Sequence, residues 1–391
     1  MSEFKIQQSK RSIQTENKHE HGVYVSILQS SNGARFVCSA PPRCMLLLAA
    51  LIADCRVTYS DGRYWISRGS ECPSGRVEIP EKDQSGNVIT GIYKNCFSRC
   101  SSLESVDIPP SIRVISWFSF EGCSSLKAIV LPESVEEIHA GAFANCSSLE
   151  SITLPLCLSS LHEEALYNCP LLSEVTMGVT VSPHRLPKTV RRIKIHSGVT
   201  EIPSGFFTQC TSLEEIELPD SVEGIAGDAF FNCSSLSGVT MGVSISPSKL
   251  PETVRRIMIR TGVTGIPPGF FFNCYSLEAI ELPESIEEIG EGAFEGCSSL
   301  VSVSGSSSGS VNIPPRVQVI PSRCFYGCSS LTDVIVPPSV TQIGDEAFAQ
   351  CPSISSFTYQ GSSQLENGIG LPDTVRINNA GVYSEQPPQR E

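Results

Sequence analysis

Positive charge and histidine are both scarce in this chain. Of its 391 residues, 28 are Lys or Arg against 41 Asp or Glu, which leaves a formal net charge of −13. Proteins that bind nucleic acid neutralise phosphates with a basic excess, so no nucleic-acid partner is expected. His139 and His162, two of only six histidines, lie beside Glu137 and Glu163. We interpret both as exposed side chains, and no metal site is expected.

Long apolar runs are missing as well. A helix needs about 18 or more consecutive apolar residues to span a bilayer, so no membrane span is expected. The run MLLLAALIA at residues 45–53 is too short, and it lies too far from Met1 for an ordinary signal peptide. We interpret it as a buried capping helix. The alternative is an export signal, if translation begins near Met45.

Motifs that carry catalysis do not occur either. The sequence has no Walker loop, no Gly-rich dinucleotide turn and no Gly-x-Ser-x-Gly elbow. The Ser-Ser pairs recur after Cys and are typical of turns. We therefore expect no enzyme activity and no cofactor.

What the chain does contain is a repeat. The motif Phe-x-x-Cys-x-Ser-Leu-x-x-Ile-x-Leu-Pro recurs every 23 residues, as the spacing of Cys100, Cys123 and Cys146 shows. A fixed period with recurring Leu and Ile predicts a solenoid, because one short unit cannot bury its apolar face alone. Two longer steps each resolve into one full and one short unit. The predicted strand starts are Leu103, Leu126, Leu149, Leu172, Val190, Leu213, Leu236, Val254, Leu277, Leu300, Leu331 and Ile354, with Val77 and Val375 as degenerate ends.

Each unit has room for one strand, a second short extended piece such as SVEEI (134–138) and a small helical turn such as GAFANC (141–146). Stacking turns each repeat position into a column, and one column is predicted to form the spine of the core. That column is Phe97, Phe120, Phe143, Leu166, Phe207, Phe230, Phe271, Phe294, Phe325 and Phe348. Ten of the 17 cysteines form another column. We interpret them as structural thiols, with disulfides and metal binding as alternatives.

Two departures from the period stand out. Residues 170–233 and 234–297 align without gaps, which indicates an internal duplication. SGSSSGS (304–310) lengthens one unit and predicts a flexible surface loop. The domain boundaries follow. We expect a disordered N-terminus at 1–20, a cap of short helix plus hairpin at 21–75, the solenoid at 76–377 and a flexible tail at 378–391.

The stretch IPPSIRVISWFSFEGCSSLKAIVLPESVEEIHAGAFANCSSLESITLP (108–155) resembles the BspA-like leucine-rich repeats. The resemblance covers about 88–360. It implies an α/β repeat solenoid: a leucine-rich repeat horseshoe or right-handed coil with a parallel β-sheet on one face and about 12 repeats. It also implies protein binding or adhesion, often at the surface of bacteria or protozoan parasites. The family supplies no catalytic residues.

Solvent-facing positions of the strands carry alternating rows of charge. Two interpretations stay open: cross-strand ion pairs that serve the sheet, and a charge-patterned face that binds a partner. The candidate binding residues are Arg191, Arg192, Lys194, Glu214, Glu215, Glu217, Arg255, Arg256, Glu278 and Glu281.

These observations predict a non-catalytic solenoid that binds a protein partner through its strand face. One alternative is a cell-surface adhesin or antigen that binds host matrix or glycan. The other is an intracellular scaffold or a secreted effector. The missing N-terminal signal peptide and the many thiols favour the cytoplasm, whereas the family resemblance favours the cell surface or secretion.

Overall fold

The computed structural model describes residues 14–20, 23–29, 35–38, 56–60, 62–67, 72–304, 310–361, 368–373, 375 and 377–379. The chain divides into two compact units. The first comprises residues 1–172 and 185–187, and the second comprises residues 173–184 and 188–391. The expected capping helix at 45–53 and the tail from residue 380 lie outside the described residues.

The first unit begins with an antiparallel sheet of three strands, Gln14–Glu20, Val23–Gln29 and Arg35–Cys38. The first strand pairs along its full length with the second, from Gln14 opposite Gln29 onward. Residues 14–20 were expected to be disordered because they are polar. Their backbone instead pairs with VYVSILQ, a segment rich in β-formers, and pairing of this kind overrides local polarity.

A hairpin follows where the sequence predicted one. Strands Arg56–Ser60 and Arg63–Ser67 pair antiparallel, and Gly62 supplies the left-handed turn residue with φ 75°. The second hairpin strand then pairs in parallel with Gly91–Ile92. It thereby starts a ladder of short strands, the back ladder of this unit, which continues through Val114–Ile115, Glu137–Ile138 and Ser160–Leu161.

The longer strands of each turn pair in parallel and are here together called the front ladder. In the first unit its strands pair two by two, Gly75–Glu78 with Leu103–Asp107 and Ala128–Val130 with Ser151–Thr153. In the second unit they are Glu174–Met177, Arg192–Ile195, Glu215–Glu217, Gly238–Met241, Arg256–Ile259, Ala279–Glu281, Ser302–Val303, Ser310–Asn312, Asp333–Val336, Ser356–Tyr359 and Ile377–Asn379. Each predicted strand start lies within one of these strands or two residues before it. The prediction of a parallel β-solenoid of about a dozen turns is therefore confirmed.

Short units add a front strand without a back strand. Gly238 pairs with Arg256, a step of 18 residues, whereas Glu215 pairs with Gly238 at the full step of 23. In place of a back strand, the short unit has a 3₁₀ turn at Pro247–Lys249, and a like turn lies at Pro183–Arg185. The back ladder of the second unit is consequently a set of pairs: Glu201–Ile202 with Gly224–Ile225, Gly265–Ile266 with Glu288–Ile289, and Val319–Ile320 with Gln342–Ile343.

The Gly/Ser insertion is partly a strand. Val303 pairs with Val311, and Val311 pairs with Val334, so residues 310–312 form an extra rung of the front ladder. The loop prediction for 304–310 is wrong at its end, because Ser310 begins a strand that pairs with Asp333–Val336. Residues 305–309 lie outside the described part.

The return segment of each unit is a run of β-turns and not a helical turn. Ala142 donates to the carbonyl of His139, and Ala144 donates to that of Gly141. Gly141 and Asn145 both have left-handed backbones, with φ 68° and 59°. Two such residues within five positions prevent a continuous right-handed helix. Within the described ranges the only helices are the two 3₁₀ turns, and none is long and apolar enough to cross a bilayer.

The predicted core column is confirmed. All ten of its side chains are buried, and neighbouring rings stack face to face at centroid distances of 5.0–5.3 Å. The cysteine column lies beside it. Seven of its ten thiols donate to the carbonyl of the Phe one turn earlier, as from Cys146 Sγ to Phe120 O at 3.2 Å. These hydrogen bonds link neighbouring turns without covalent bonds.

Candidate partner-binding face

The charged face is built by strand alternation. In strand Arg192–Ile195, Ile193 and Ile195 are buried, while Arg192 and Lys194 are exposed. Successive side chains of a strand point to opposite faces, so the apolar pair enters the core and the cationic pair faces solvent. Parallel pairing in register then places equal positions of neighbouring strands side by side.

Arg192 sits between two acidic strands. Its Nε lies 2.8 Å from Glu215 Oε2, and its guanidinium also reaches Glu174 at 3.4 Å. Hydrogen bonding to Glu215 and the attraction of both carboxylates raise the pKa of Arg192. Beside it, Lys194 Nζ pairs with Glu217 at 3.1 Å.

The remaining predicted residues continue the pattern. Arg191 pairs with Glu214 just before the strands begin. In the duplicated block Arg255 pairs with Glu278 at 3.4 Å. Arg256 has Ala279 opposite it and reaches diagonally to Glu281, at 3.9 Å. The structure thus brings all ten residues together as cation–carboxylate pairs within the second unit.

Arg260 joins the face from further away, and the candidate set did not include it. Its guanidinium bonds Glu217 at 2.9 Å and the carbonyl of Leu218 at 3.3 Å, across an intervening front strand. Gly242 follows the intervening strand, and a Cβ there would lie 2.5 Å from Asp220 Oδ1, a carboxylate that Arg260 also reaches, at 3.8 Å. The sequence signal is the position of Arg260 directly after strand Arg256–Ile259, at the edge of the same face.

The geometry of this face permits recognition of a charged partner. Between 29% and 63% of each of these charged side chains is exposed, and such ion pairs stabilise a fold by only about 0–1 kcal/mol each. Among the described residues no group of three His, Cys, Asp or Glu could hold a metal. His139 and His162 point to separate partners: His139 Nε2 lies 3.1 Å from Glu137, and His162 Nδ1 accepts from the N–H of Glu164.

The buried thiols of the cysteine column stay protonated. Burial raises the pKa of Cys123 to about 12 and that of Cys169 to about 11, so both stay protonated at neutral pH. Cys100 differs from the rest of its column, because the structure pairs it with Cys72 as a disulfide. Cys157 is the exposed free thiol of the described part.

These features define a class: a parallel solenoid whose turns repeat a Leu/Ile strand, a proline corner and a Phe–Cys turn. The family model for the BspA type leucine-rich repeat region matches in six copies, over residues 84–183, 188–301 and 249–368. The chain belongs to this family.

Solved structures of bacterial leucine-rich repeat proteins are similar to this chain. One from Bacteroides ovatus is 23% identical over 80% of this chain and 98% of its own, with a TM-score of 0.29. The T. pallidum leucine-rich repeat protein is 26% identical over 63% and 87%, with a TM-score of 0.26. The pneumococcal vaccine antigen PcpA is 20% identical over 83% and 85%, with a TM-score of 0.28. No curated protein matches the chain significantly.

Proposed function

We propose that this protein is a non-catalytic binding module that recognises a protein partner through the charged face of its second unit. The observation that supports this most is the order of the face: rows of Arg and Lys lie between rows of Glu, each held by its neighbours. A pre-arranged surface loses little side-chain entropy when it binds.

The proposed mechanism is exchange of ion-pair partners. Each exposed pair contributes about 0–1 kcal/mol, so a partner with complementary rows can replace intramolecular pairs at little cost. Alternating signs fix the register of that partner, since a shift by one strand opposes like charges. Contacts of this kind depend on ionic strength.

Charge reversal tests the face. The variant R191E/R192E/R255E/R256E should lose partner binding in quantitative cross-linking on source cells, while its Tm stays within a few degrees of the parent. R113E/R316E is the matched control, because Arg113 and Arg316 also pair with glutamates but lie off the front strands. Unchanged cross-linking by the fourfold variant would remove the front face from consideration.

A second candidate is a surface adhesin, and the Cys72–Cys100 disulfide favours it. Disulfides persist in oxidising compartments, whereas twelve free thiols in the described residues favour a reducing one. Protease shaving of intact cells separates the two, followed by thiol counting. Loss of the protein with fewer than 17 free thiols supports display at the surface. Full protection with all of them free supports an intracellular scaffold.

A further inference from the structure

An exposed aromatic pair in the first unit has no role in the core. Trp117 and Phe118 are 49% and 41% exposed, and they follow the back strand Val114–Ile115. The same two positions hold small or polar residues in the other turns: Lys94-Asn95, Ala140-Gly141, Glu163-Glu164, Ser204-Gly205, Gly227-Asp228, Pro268-Gly269, Glu291-Gly292, Ser322-Arg323 and Asp345-Glu346. Only this turn presents two large rings to solvent there.

Both rings are fixed against the next turn. Trp117 packs on the imidazole of His139 with centroids 4.1 Å apart, and His139 is held by Glu137 at 3.1 Å. Phe118 lies over Gly141, where a Cβ would collide with its ring. One face of each ring is thus supported by this chain, and the outer surface stays open.

The backbone that carries these rings is strained at Phe118. Phe118 has φ 54°, a left-handed conformation that is rare for a bulky side chain. Glycine holds this position with positive φ in several other turns, so the fold itself has no need of Phe here. Those glycines are Gly141, Gly205, Gly269 and Gly292. Strain of this kind is typical of functional sites.

Two acidic residues hold the same repeat positions as Trp117 and Phe118 two turns further on. Turns of this unit are spaced like the rings of its core, which are 5.1–5.2 Å apart. Glu163 and Glu164, two turns on from Trp117 and Phe118, are therefore about 10 Å away along the backbone. Both are exposed, and neither has an ion-pair partner in the described part of the chain. Both rings lie against the intervening turn, at His139 and Gly141, which is the side toward Glu163 and Glu164.

The second unit shows what such a combination holds. Arg323, at the position equivalent to Phe118, lies 4.0 Å from the ring centroid of Tyr326 and bonds Glu295 at 2.6 Å. Arg323 also reaches Glu346 on the following turn, at 3.1 Å. Aromatic ring and carboxylates on neighbouring turns there bind a guanidinium of the chain itself. No cation of the described residues lies over Trp117 or Phe118.

We propose that Trp117 and Phe118, with Glu163 and Glu164, form a docking site for an Arg or Lys side chain in a basic segment of a protein partner. The ring faces attract the cation and cover its aliphatic stem, and the carboxylates pair with its charge. The site shares no residue with the front face of the second unit. A negative test of one proposal therefore leaves the other unaffected.

Fluorescence of the full chain tests this site. The chain has two Trp, so a W65F background leaves Trp117 as the reporter. The probe is an N-acetylated, amidated octapeptide of alternating Arg and Gly. We expect saturable change in Trp117 emission that weakens with added NaCl. The same peptide with citrulline in place of Arg should bind at least about tenfold more weakly.

Separate variants test the aromatic ring and the carboxylates of the site. In the W65F background, F118G should keep the fold and its melting temperature, because Gly suits the left-handed position, yet lose about fivefold or more in affinity. E163Q/E164Q should lose a similar amount. The control E201Q/E223Q removes two exposed carboxylates of the second unit and should bind as the parent does. R191E/R192E should also leave this affinity unchanged.

Three results would overturn the proposal. The first is equal binding of the citrulline peptide, and the second is equal binding by F118G in a folded protein. The third is saturable binding of a neutral methyl pyranoside in place of the Arg peptide, which would make the rings a sugar platform.

Discussion

At the scale of single residues, the Phe–Cys turn is explained by its backbone. Asn145, Asn168, Asn232 and Asn273 stand two residues after the core position and have φ between 54° and 59°. Asn tolerates the left-handed region better than most side chains, which accounts for Asn before Cys in the repeat. The Cys that follows then turns inward and donates to the preceding turn, as Cys169 does to Phe143 O at 3.1 Å.

Phe143→Ala tests the core column. The ring is fully buried and stacks on Phe120 at 5.2 Å, so its removal leaves a cavity. We expect the free energy of unfolding to fall by about 3–5 kcal/mol in urea titration. Val130→Ala, at a position 67% exposed, is the control and should change little. A loss below about 1 kcal/mol for Phe143→Ala would contradict the column as a stabilising element.

The buried thiols predict loss of stability in alkali. Unfolded thiols ionise near pH 9, whereas burial raises the pKa of Cys169 in the fold to about 11. Between these values the unfolded state releases a proton that the native state retains. Stability from this group is therefore complete below about pH 9 and is lost as pH rises toward 11.

Melting temperatures from pH 8 to 11 measure this effect. Cys169→Ala lowers stability at every pH, but its decline with pH should be shallower than that of the parent. Cys157→Ala, at an exposed thiol, should follow the parent slope. Parallel curves for Cys169→Ala and the parent would refute the assignment.

At the scale of elements, the hairpin at residues 56–67 protects the start of the back ladder. Trp65 is 8% exposed, donates from Nε1 to Ser60 O at 3.1 Å and lies against Gly91, where a Cβ would be 2.5 Å from its ring. Without the hairpin, the edge of Gly91–Ile92 and its apolar face would meet solvent. Solenoid ends that lack a cap associate through such edges.

Deletion of residues 1–67 should therefore lower the Tm by several degrees and increase light scattering on heating. Truncation after residue 379 is the control and should change neither measurement. A capless chain that stays monomeric with an unchanged Tm would show that the hairpin has no protective role.

Some elements could be predicted from the sequence and others could not. Leu and Ile spacing predicted each repeated strand, because burial of alternate positions leaves a direct mark on the sequence. The strand at Ser310–Asn312 was missed, since Gly and Ser before it are typical of loops and its pairing depends on neighbours. The predicted helical turn was wrong because Ala favours a helix locally, while left-handed residues such as Gly141 and Asn145 exclude one.

At the scale of the whole chain, the duplication predicts that one block is dispensable. Removal of residues 234–297 joins Cys233 to Ser298 with the repeat phase preserved, so Ser302–Val303 takes the place of Gly238–Met241. In a solenoid each turn contacts only its neighbours, so the remaining turns should fold. We expect a cooperative transition with a smaller urea m-value, because less surface is exposed on unfolding.

Excision of residues 234–286 is the control, since it breaks the phase of the repeat. That variant should aggregate or lack a cooperative transition. If both deletions fold equally well, the register of the repeat is not what specifies the structure.

The candidate sites were predictable to different degrees. The charged rows followed from strand alternation, which fixes the side of the sheet on which Arg192 and Glu215 stand. The docking site at Trp117 was predictable only in part: the pair Trp117-Phe118 departs from the small or polar residues of the other turns, but the case also rests on a strained φ at Phe118 and on stacking against His139. Neither leaves a pattern in the order of the residues.

The short unit at 238–254 also has a mechanical consequence. Ring stacking joins Phe207 to Phe230, and a second stack runs from Phe271 to Phe348, but the unit between contributes no Phe. Cys274, the first thiol after it, is partly exposed where most of its column is buried. Under a pulling force we expect this short unit to unfold before either ring stack does. The second unit should then extend in two steps.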